Sequence, residues 1–479
     1  MSKIMTWCSG LALVGAVAGC GQPAAVRTAG SRAVAIGSWG RAITVPGLGA
    51  LNKGRNAGVL SVSCPSAGSC AAGGDYRDGG GHQQGFVAVE RNGRWRLAIE
   101  APGLGALNKN GNAEVSSVSC ASPGYCAAGG YFGNRGSNPY VVSSGRGFVV
   151  SETNGRWGRA VEVPGLGFLN RGGNAEVSSV SCAGSGSCAA VGFYTDGGGH
   201  QQGFVVSEQN GVWGRAVEVP GLGFLNKGGN ARVSSVSCAS PGNCAAGGDY
   251  TSDASGRLQA FVVSETGGSW GTAQEVAGNV NTGAGLGAFV DTVSCASAGN
   301  CAAGGSYDGP GNDMFVISEV NGSWGSAREV AGNLYVPGGG TVDSMSCASA
   351  GNCSAGGTYD YGGYNAAFLV SEKNGVWGQG INVPGLSKVA RDAYLTSVSC
   401  ASAGNCAAGG SYDGGGSGAW VVREKNGVWG QETTVPGLGA LNKGSVLGVS
   451  SVSCSPAGSC VAGGDYQETG RYALQGFVT

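Results

Sequence analysis

At 479 residues the chain has room for about three ordinary domains, yet 97 glycines and 14 prolines bring it close to low-complexity composition. Twenty-eight basic and 29 acidic residues leave a formal net charge of −1 with no basic stripe, which excludes nucleic acid as an expected partner. Two histidines, His82 and His200, are too few for a histidine-rich metal centre, so neither metal nor cofactor is expected.

The amino terminus, MSKIMTWCSGLALVGAVAGCG, places one basic residue, Lys3, before an apolar run that ends in small residues. The run is too short and too rich in glycine for a membrane span and reads as a secretory signal. Within it, Val17-Ala18-Gly19-Cys20 resembles the bacterial lipobox. That resemblance implies that residues 1–19 are removed and that Cys20 is diacylated. The chain would then be held at the extracytoplasmic face of the membrane, with residues 20–33 as a tether without apolar periodicity. An ordinary signal peptide cut nearby, with Cys20 incidental, is the alternative.

From residue 34 onward one unit recurs. Its type copy is VSSVSCASPGNCAAGGDY, Val233 to Tyr250, and each copy holds a Cys-x5-Cys pair. The pairs are Cys64 with Cys70, Cys120 with Cys126, Cys182 with Cys188, Cys238 with Cys244, Cys295 with Cys301, Cys347 with Cys353, Cys400 with Cys406 and Cys454 with Cys460. Their first members lie 56, 62, 56, 57, 52, 53 and 54 residues apart, and such self-similarity sets the architecture before any local reading. Export makes disulfides the natural state of these cysteines. Zinc is the competing reading, but the spacing is unusual for a metal and no histidines complete it. Each pair faces itself across a hairpin, where Cα atoms about 5 Å apart permit a bond.

Each unit carries four strand signals. In the third unit they are SSVSC, CAAVGFY, QGFVVSE (Gln202 to Glu208) and WGRAVEVP (Trp213 to Pro220). An Asn-Gly pair such as Asn210-Gly211 separates the third from the fourth and marks a tight hairpin. A tryptophan follows two residues after each such turn, at 95, 157, 213, 324, 377 and 429, and at 270 after Gly267-Gly268 in the remaining unit, placed to fill the gap between neighbouring units. Four antiparallel strands in about 55 residues, eight times over, predict an all-β, eight-bladed β-propeller, with a β-solenoid as the rival. The first unit opens with only a fourth strand, Trp39 to Pro46, and the last stops after its third, LQGFVT. The amino-terminal strand is therefore expected to close the ring, with the propeller spanning residues 34–479.

The SE-x-NG-x-W segment, as in SETNGRW from Ser151, resembles the Asp-box of sialidase-type propellers, although the box aspartate is absent and the tryptophan lies one residue closer. The repeat as a whole, SVSC-x5-C-AAGG over residues 34–479, resembles secreted bacterial repeat proteins regarded as propellers. That resemblance implies an architecture and no defined activity.

Strand alternation puts the cysteine and Asn-Gly turns on one face. The other face collects the second-to-third-strand loops and the blade linkers, which are longer and more variable. Asp78 with His82, and Asp196 with His200, form candidate acid–base or metal pairs in such loops, against a plain glycine-rich loop with polar decoration. They fall in blades one and three, which are not neighbours, and the plain reading is preferred. No nucleophile elbow, P-loop or HExxH occurs, so catalytic residues stay unassigned. Five linkers carry PGLG-x-LN followed by a cation, giving Asn52-Lys53, Asn108-Lys109, Asn170-Arg171, Asn226-Lys227 and Asn442-Lys443. Ring closure would join these into one arc fit for an anionic or polyhydroxylated envelope ligand, a carbohydrate, anionic polymer or protein. A shared loop stop is the alternative. The expected function is a monomeric, lipid-anchored binding or scaffolding module. A glycosidase or lyase is the rival from another class, and a quinone- or metal-dependent oxidoreductase is a third.

Overall fold

The computed structural model describes residues 38–479 except 110, 136–141, 254, 279, 281–286, 309–312, 331–333, 335–337, 387–390, 414–416, 446 and 470–472. The expected signal segment, Cys20 and the tether lie outside the described residues.

The described residues form eight antiparallel blades arranged as a β-propeller, seven with their strands in chain order and the eighth completed by a strand from the amino terminus. Blade 3 serves as the type. Its strands are Ala175–Gly184, Ser187–Thr195 and Gln201–Gln209, followed by two short pieces, Val212–Trp213 and Val217–Glu218. The fourth strand is divided because its middle turns away from its own blade. Gly214 N–H still bonds Ser207 O at 2.9 Å, but Ala216 N–H donates to Pro164 O in the preceding linker at 2.7 Å. The Asn-Gly turn takes positive φ at both positions, 53° at Asn210 and 77° at Gly211, as its hairpin type requires. Gly211 N–H then bonds Gly186 O of the cysteine turn at 2.9 Å, so the two short turns share one end of the blade.

The first strands are innermost. They run Ala57–Ser66, Gly111–Ser122, Ala175–Gly184, Ala231–Ser240, Ala288–Ser297, Gly340–Ser349, Asp392–Ser402 and Leu447–Cys454. Each packs against the first strands of both neighbours, and the first strand of blade 8 packs against that of blade 1. Every first strand shifts register by one residue before its SVSC segment, for example between Val177 and Ser179. The displaced backbone presses on the second strand. A Cβ on Gly130 would lie 1.9 Å from Glu114 O, so glycine is obligatory there, and the equivalent residue of all eight blades is glycine.

The serines of SVSC reach across the blade interface. Ser119 Oγ accepts the backbone N–H of Cys182 at 2.9 Å, and Ser181 Oγ that of Cys238 at 2.9 Å. The same bond recurs at every interface, from Ser63 and Cys120 round to Ser399 and Cys454. The apolar core is accordingly divided among the interfaces. Ala127 and Val149 of blade 2 pack with Val177, Val180 and Phe204 of blade 3, and comparable clusters occupy the other junctions.

The ring closes as expected. Ile43–Thr44 pairs antiparallel with Leu474–Val478, with Ile43 opposite Val478 and Thr44 opposite Phe477.

All sixteen cysteines of the repeat are bonded, each to the partner expected from the spacing and within its own blade. In blades 1 to 4, Cys64 is bonded to Cys70, Cys120 to Cys126, Cys182 to Cys188 and Cys238 to Cys244. In blades 5 to 8, Cys295 is bonded to Cys301, Cys347 to Cys353, Cys400 to Cys406 and Cys454 to Cys460. The zinc alternative is thereby set aside, since a sulfur in a disulfide is no thiolate ligand. One expectation is corrected for all eight pairs. Their Cα atoms lie 3.9–4.1 Å apart, closer than the 5 Å or so anticipated. The reason is the register: Cys182 stands directly opposite Cys188, and Cys238 opposite Cys244, in the narrow class of cross-strand pair. The second cysteine of each bond, Cys70, Cys126, Cys188, Cys244, Cys301, Cys353, Cys406 or Cys460, is buried and packs into the core.

The LN-K/R linkers hold single helical turns that strand patterning did not reveal, at Leu48–Leu51, Leu104–Leu107, Leu166–Leu169, Leu222–Leu225 and Leu438–Leu441. Each follows a glycine with φ near 80° and buries its first leucine.

Candidate functional site

The two ends of the propeller do different work. At the turn end, the Asp-box-like residues bind blade to blade. Ser151 Oγ donates to Glu208 Oε1 of the next blade at 2.6 Å and accepts the indole N–H of Trp213 at 3.0 Å. The same triad joins Ser207, Glu265 and Trp270, then Ser264, Glu319 and Trp324, then Ser318, Glu372 and Trp377. Burial holds these glutamates above the usual carboxylate range, and the serine bonds partly offset it. Blade 1 has Val89 in place of the serine, and the indole nitrogen of Trp157 is left without a partner. Blade 7 has Arg423 there, and its guanidinium lies 4.5 Å from the ring centre of Trp39. These residues are fastenings, in keeping with the packing role read from the tryptophans.

The loop end carries the remaining candidates. Asp78 Oδ1 accepts the N–H groups of Gly80 (2.8 Å) and His82 (2.9 Å), and the exposed imidazole of His82 lies 3.2 Å from Asp78 Oδ2. Slight burial raises the Asp78 pKa, but these bonds outweigh it and leave the group below its ordinary value. Asp196 and His200 repeat the arrangement in blade 3. Each pair closes its own loop, and the two pairs are not brought together.

The linker asparagines and cations separate sharply. Asn52, Asn108 and Asn226 are buried, and all five asparagine amides bond within the protein. Asn226 Nδ2 donates to Gln202 Oε1 at 2.9 Å and its Oδ1 accepts Asn230 N–H at 2.9 Å, closing the linker. The cations Lys53, Lys109, Arg171, Lys227 and Lys443 are all exposed. Beside two of them stand bare aromatic rings, Phe168 (72% exposed) and Phe224 (85%), the former carrying Arg215 at 5.3 Å.

One set of residues escaped the sequence reading. Carboxylates gather where the first and second strands of successive blades meet toward the loop end: Asp465, Asp75, Glu114, Glu176, Asp249, Asp291 and Asp343. Gln83 Nε2 donates to both Asp75 Oδ2 (3.1 Å) and Glu114 Oε2 (3.2 Å). Burial, then the nearby Glu114 charge, pushes Asp75 up to about 7. Burial with Glu114 does the same for Glu176, and burial with Asp291 for Asp343, each to about 7, while burial alone brings Asp465 to about 6. Arg232 Nε holds Asp249 at 2.8 Å. No group of three or more metal-ligating side chains forms among the described residues. The sequence signal was the aspartate of GGDY, an acid inside an otherwise apolar strand, at 75, 249 and 465.

The fold and disulfides define the class as a disulfide-stapled, eight-bladed β-propeller. No family model matches the chain, and no curated protein does. Among solved structures it is similar to Sqt1 from Chaetomium thermophilum, with a TM-score of 0.48 and 11% identity over 91% of this chain and 96% of that one. It is similar to the GH74 xyloglucanase from Xanthomonas campestris, with a TM-score of 0.47 and 13% identity over 83% of this chain and 56% of that one. A PL25 ulvan lyase gives a TM-score of 0.45 and 10% identity over 83% and 96%.

Proposed function

We propose that this chain is a lipid-anchored, extracytoplasmic binding module that holds an anionic or polyhydroxylated envelope polymer on its loop face. The observation that supports this reading is the division within the LN-K/R linkers. The asparagine is consumed in closing the loop, while the cation beside it is exposed in the linkers entering blades 8, 1, 2, 3 and 4. Lys443 and Arg171 each also donate to a carbonyl of their own linker, Ala440 O at 2.8 Å and Phe168 O at 3.4 Å. Successive like charges on one rim raise the local potential, and salt weakens it. Eight local disulfides suit an oxidising compartment, as the secretory reading of residues 1–19 requires. The test changes the five cations to glutamine and measures retention on purified envelope polymers at low and high salt. Loss of binding, with the parent's affinity falling as salt rises, supports the arc. Equal binding by parent and variant rejects it. Cys20→Ala is expected to release the protein from membranes, and an unacylated mature terminus beyond Cys20 would reject the anchor.

A second reading rests on the Asp75–Gln83–Glu114 arrangement. Two carboxylates on neighbouring blades, one titrating near neutrality, are the components of acid–base cleavage of a glycan. Release of reducing ends from envelope glycans, abolished by Asp75→Asn and by Glu114→Gln, would favour it. A parent that releases none removes it.

A further inference from the structure

The loop-end cleft beside each blade junction is built from the same register positions. In blade 2 it is a cavity of about 490 Å³ whose Arg146 and Glu162 are taken up in an ion pair at 3.3 Å, and in blades 1 and 3 it is filled. In blade 1, Asn108 Nδ2 donates to Gln84 Oε1 at 2.9 Å, while Glu100 accepts the Tyr76 hydroxyl at 3.3 Å and Gly105 N–H at 2.8 Å. In blade 3, Asn226 meets Gln202 at 2.9 Å and Glu218 accepts the Tyr194 hydroxyl at 3.0 Å. Phe86 opposite Glu100, Phe204 opposite Glu218 and Phe368 opposite Asn382 set the alignment.

In blade 6 the glutamine is replaced by Ala366 and the glutamate by Asn382, and the linker PGLSKVARD carries no equivalent asparagine. The Tyr359 hydroxyl now donates to Asn382 Oδ1 at 2.5 Å, and a cavity of about 420 Å³ stays open above it. Its polar and aromatic lining is Tyr359, Tyr361, Tyr364, Asn365, Asn382 and Arg391.

This lining is held in place. Tyr361 (54% exposed) stands edge-on to Tyr359, with centroids 6.3 Å apart and planes at 87°. Tyr361 N–H bonds Tyr364 O at 2.6 Å, and Gly363 N–H bonds Asp360 Oδ1 at 2.7 Å, which fixes the turn bearing both outer rings. The Arg391 guanidinium lies 5.1 Å from the centre of the Tyr364 ring and donates to its hydroxyl at 3.2 Å. Asn365 is anchored by Asp392 Oδ1 and by the Tyr394 hydroxyl at 2.9 Å.

We infer that this cleft is a subsite for one acidic sugar residue, a hexuronate within a glycan chain. The inference rests on the loop face being a polymer-binding face. A pyranose ring offers a C–H face to a tyrosine and hydroxyls to the Asn382 and Asn365 amides, and a carboxylate is the natural partner of a guanidinium fork. A purely apolar ligand would cover the Arg391 guanidinium and the Asn382 amide while offering them no new partner in place of water. A phosphate polymer would leave the rings unused and find only one cation among the lining residues.

The test uses the full chain, with trigalacturonate and maltotriose as probes and titration calorimetry as the readout. Tighter binding of trigalacturonate by about tenfold or more is expected. Arg391→Gln should bring the two probes within about twofold of each other. The double change Ala366→Gln with Asn382→Glu refills the cleft with the side chains blades 1 and 3 already carry. It should weaken both probes about tenfold or more at unchanged melting temperature. Tyr364→Ala, on the exposed turn, should weaken them similarly. The subsite is overturned if the refilled variant binds as the parent does, or if the parent shows no preference for the acid. Polymer binding that depends on the five cations, without trisaccharide binding, removes the subsite and leaves the loop-face reading standing. A parent that binds neither removes both.

Discussion

The hydroxyl of Ser453 in blade 8 accepts the backbone N–H of Cys64 in blade 1 at 2.9 Å, the same bond that joins Ser119 to Cys182 between blades 2 and 3. The seam of the ring is therefore made of the same contact as its interior. Ser453→Ala and Ser119→Ala each leave the N–H of a buried cysteine without its acceptor and should destabilise by a similar amount, about 1–3 kcal/mol. Urea unfolding measures both. A seam variant indistinguishable from the parent, beside a destabilised interior variant, would indicate an open array. Removing residues 38–46 strips the outer strand from Leu474–Val478 and should produce aggregation through the bared edge.

Ser151→Ala removes one acceptor and one donor at once, leaving the Trp213 indole N–H and the buried Glu208 carboxylate short of a partner. A loss of about 1–3 kcal/mol is expected. The converse is the sharper test. Val89→Ser supplies the hydroxyl that Trp157 lacks, and should stabilise by about 0.5–1.5 kcal/mol less the apolar contact given up. A lower melting temperature for Val89→Ser would contradict the triad as an interface fastening.

Non-reducing peptide mapping should recover eight bonds, each within one unit, from Cys64 with Cys70 to Cys454 with Cys460. Each closes a seven-residue loop, worth roughly 2–2.5 kcal/mol in the chain-entropy model. Reduction should lower the melting temperature and single Cys-to-Ser pairs should lower it in small steps. Cross-unit bonds would refute the local pattern.

Stability should fall as pH rises from about 4 through 7. Asp75, Glu176 and Asp343 titrate at about 7 and Asp465 at about 6 in the folded chain, above their ordinary values. The folded state thus holds protons that the unfolded chain has released, so their contribution is complete below the unfolded pKa and lost as pH rises through the folded one. Melting at pH 5 should exceed melting at pH 8, and Asp75→Asn should flatten the slope. A melting temperature that climbs over this interval would show these carboxylates to be ionised and well solvated.

The repeat, its strands, its cysteine pairs and its closing strand were legible because each depends on short-range chemistry. Asn-Gly demands a tight hairpin, Cys-x5-Cys spans one, and an unmatched fourth strand at one end answers an unmatched third at the other. The serines of SVSC and the Ser-Glu-Trp triads were visible as repeated letters, but their partners were not. Ser151 and Glu208 are 57 residues apart and meet only because consecutive blades stack. The helical turns in the linkers were missed because four residues are too few to show a period.

What the sequence determined alone is the unit and the number of times it is used, since turn geometry and strand alternation act within a few residues. What only the tertiary structure decided is which side chains face each other across blades. Asp75 reaches Glu114 through Gln83, and Ala366 with Asn382 opens at one junction a cleft that Gln202 and Glu218 fill at another. Burial and charge–charge distance depend on how the ring closes, and no local pattern in the chain encodes them.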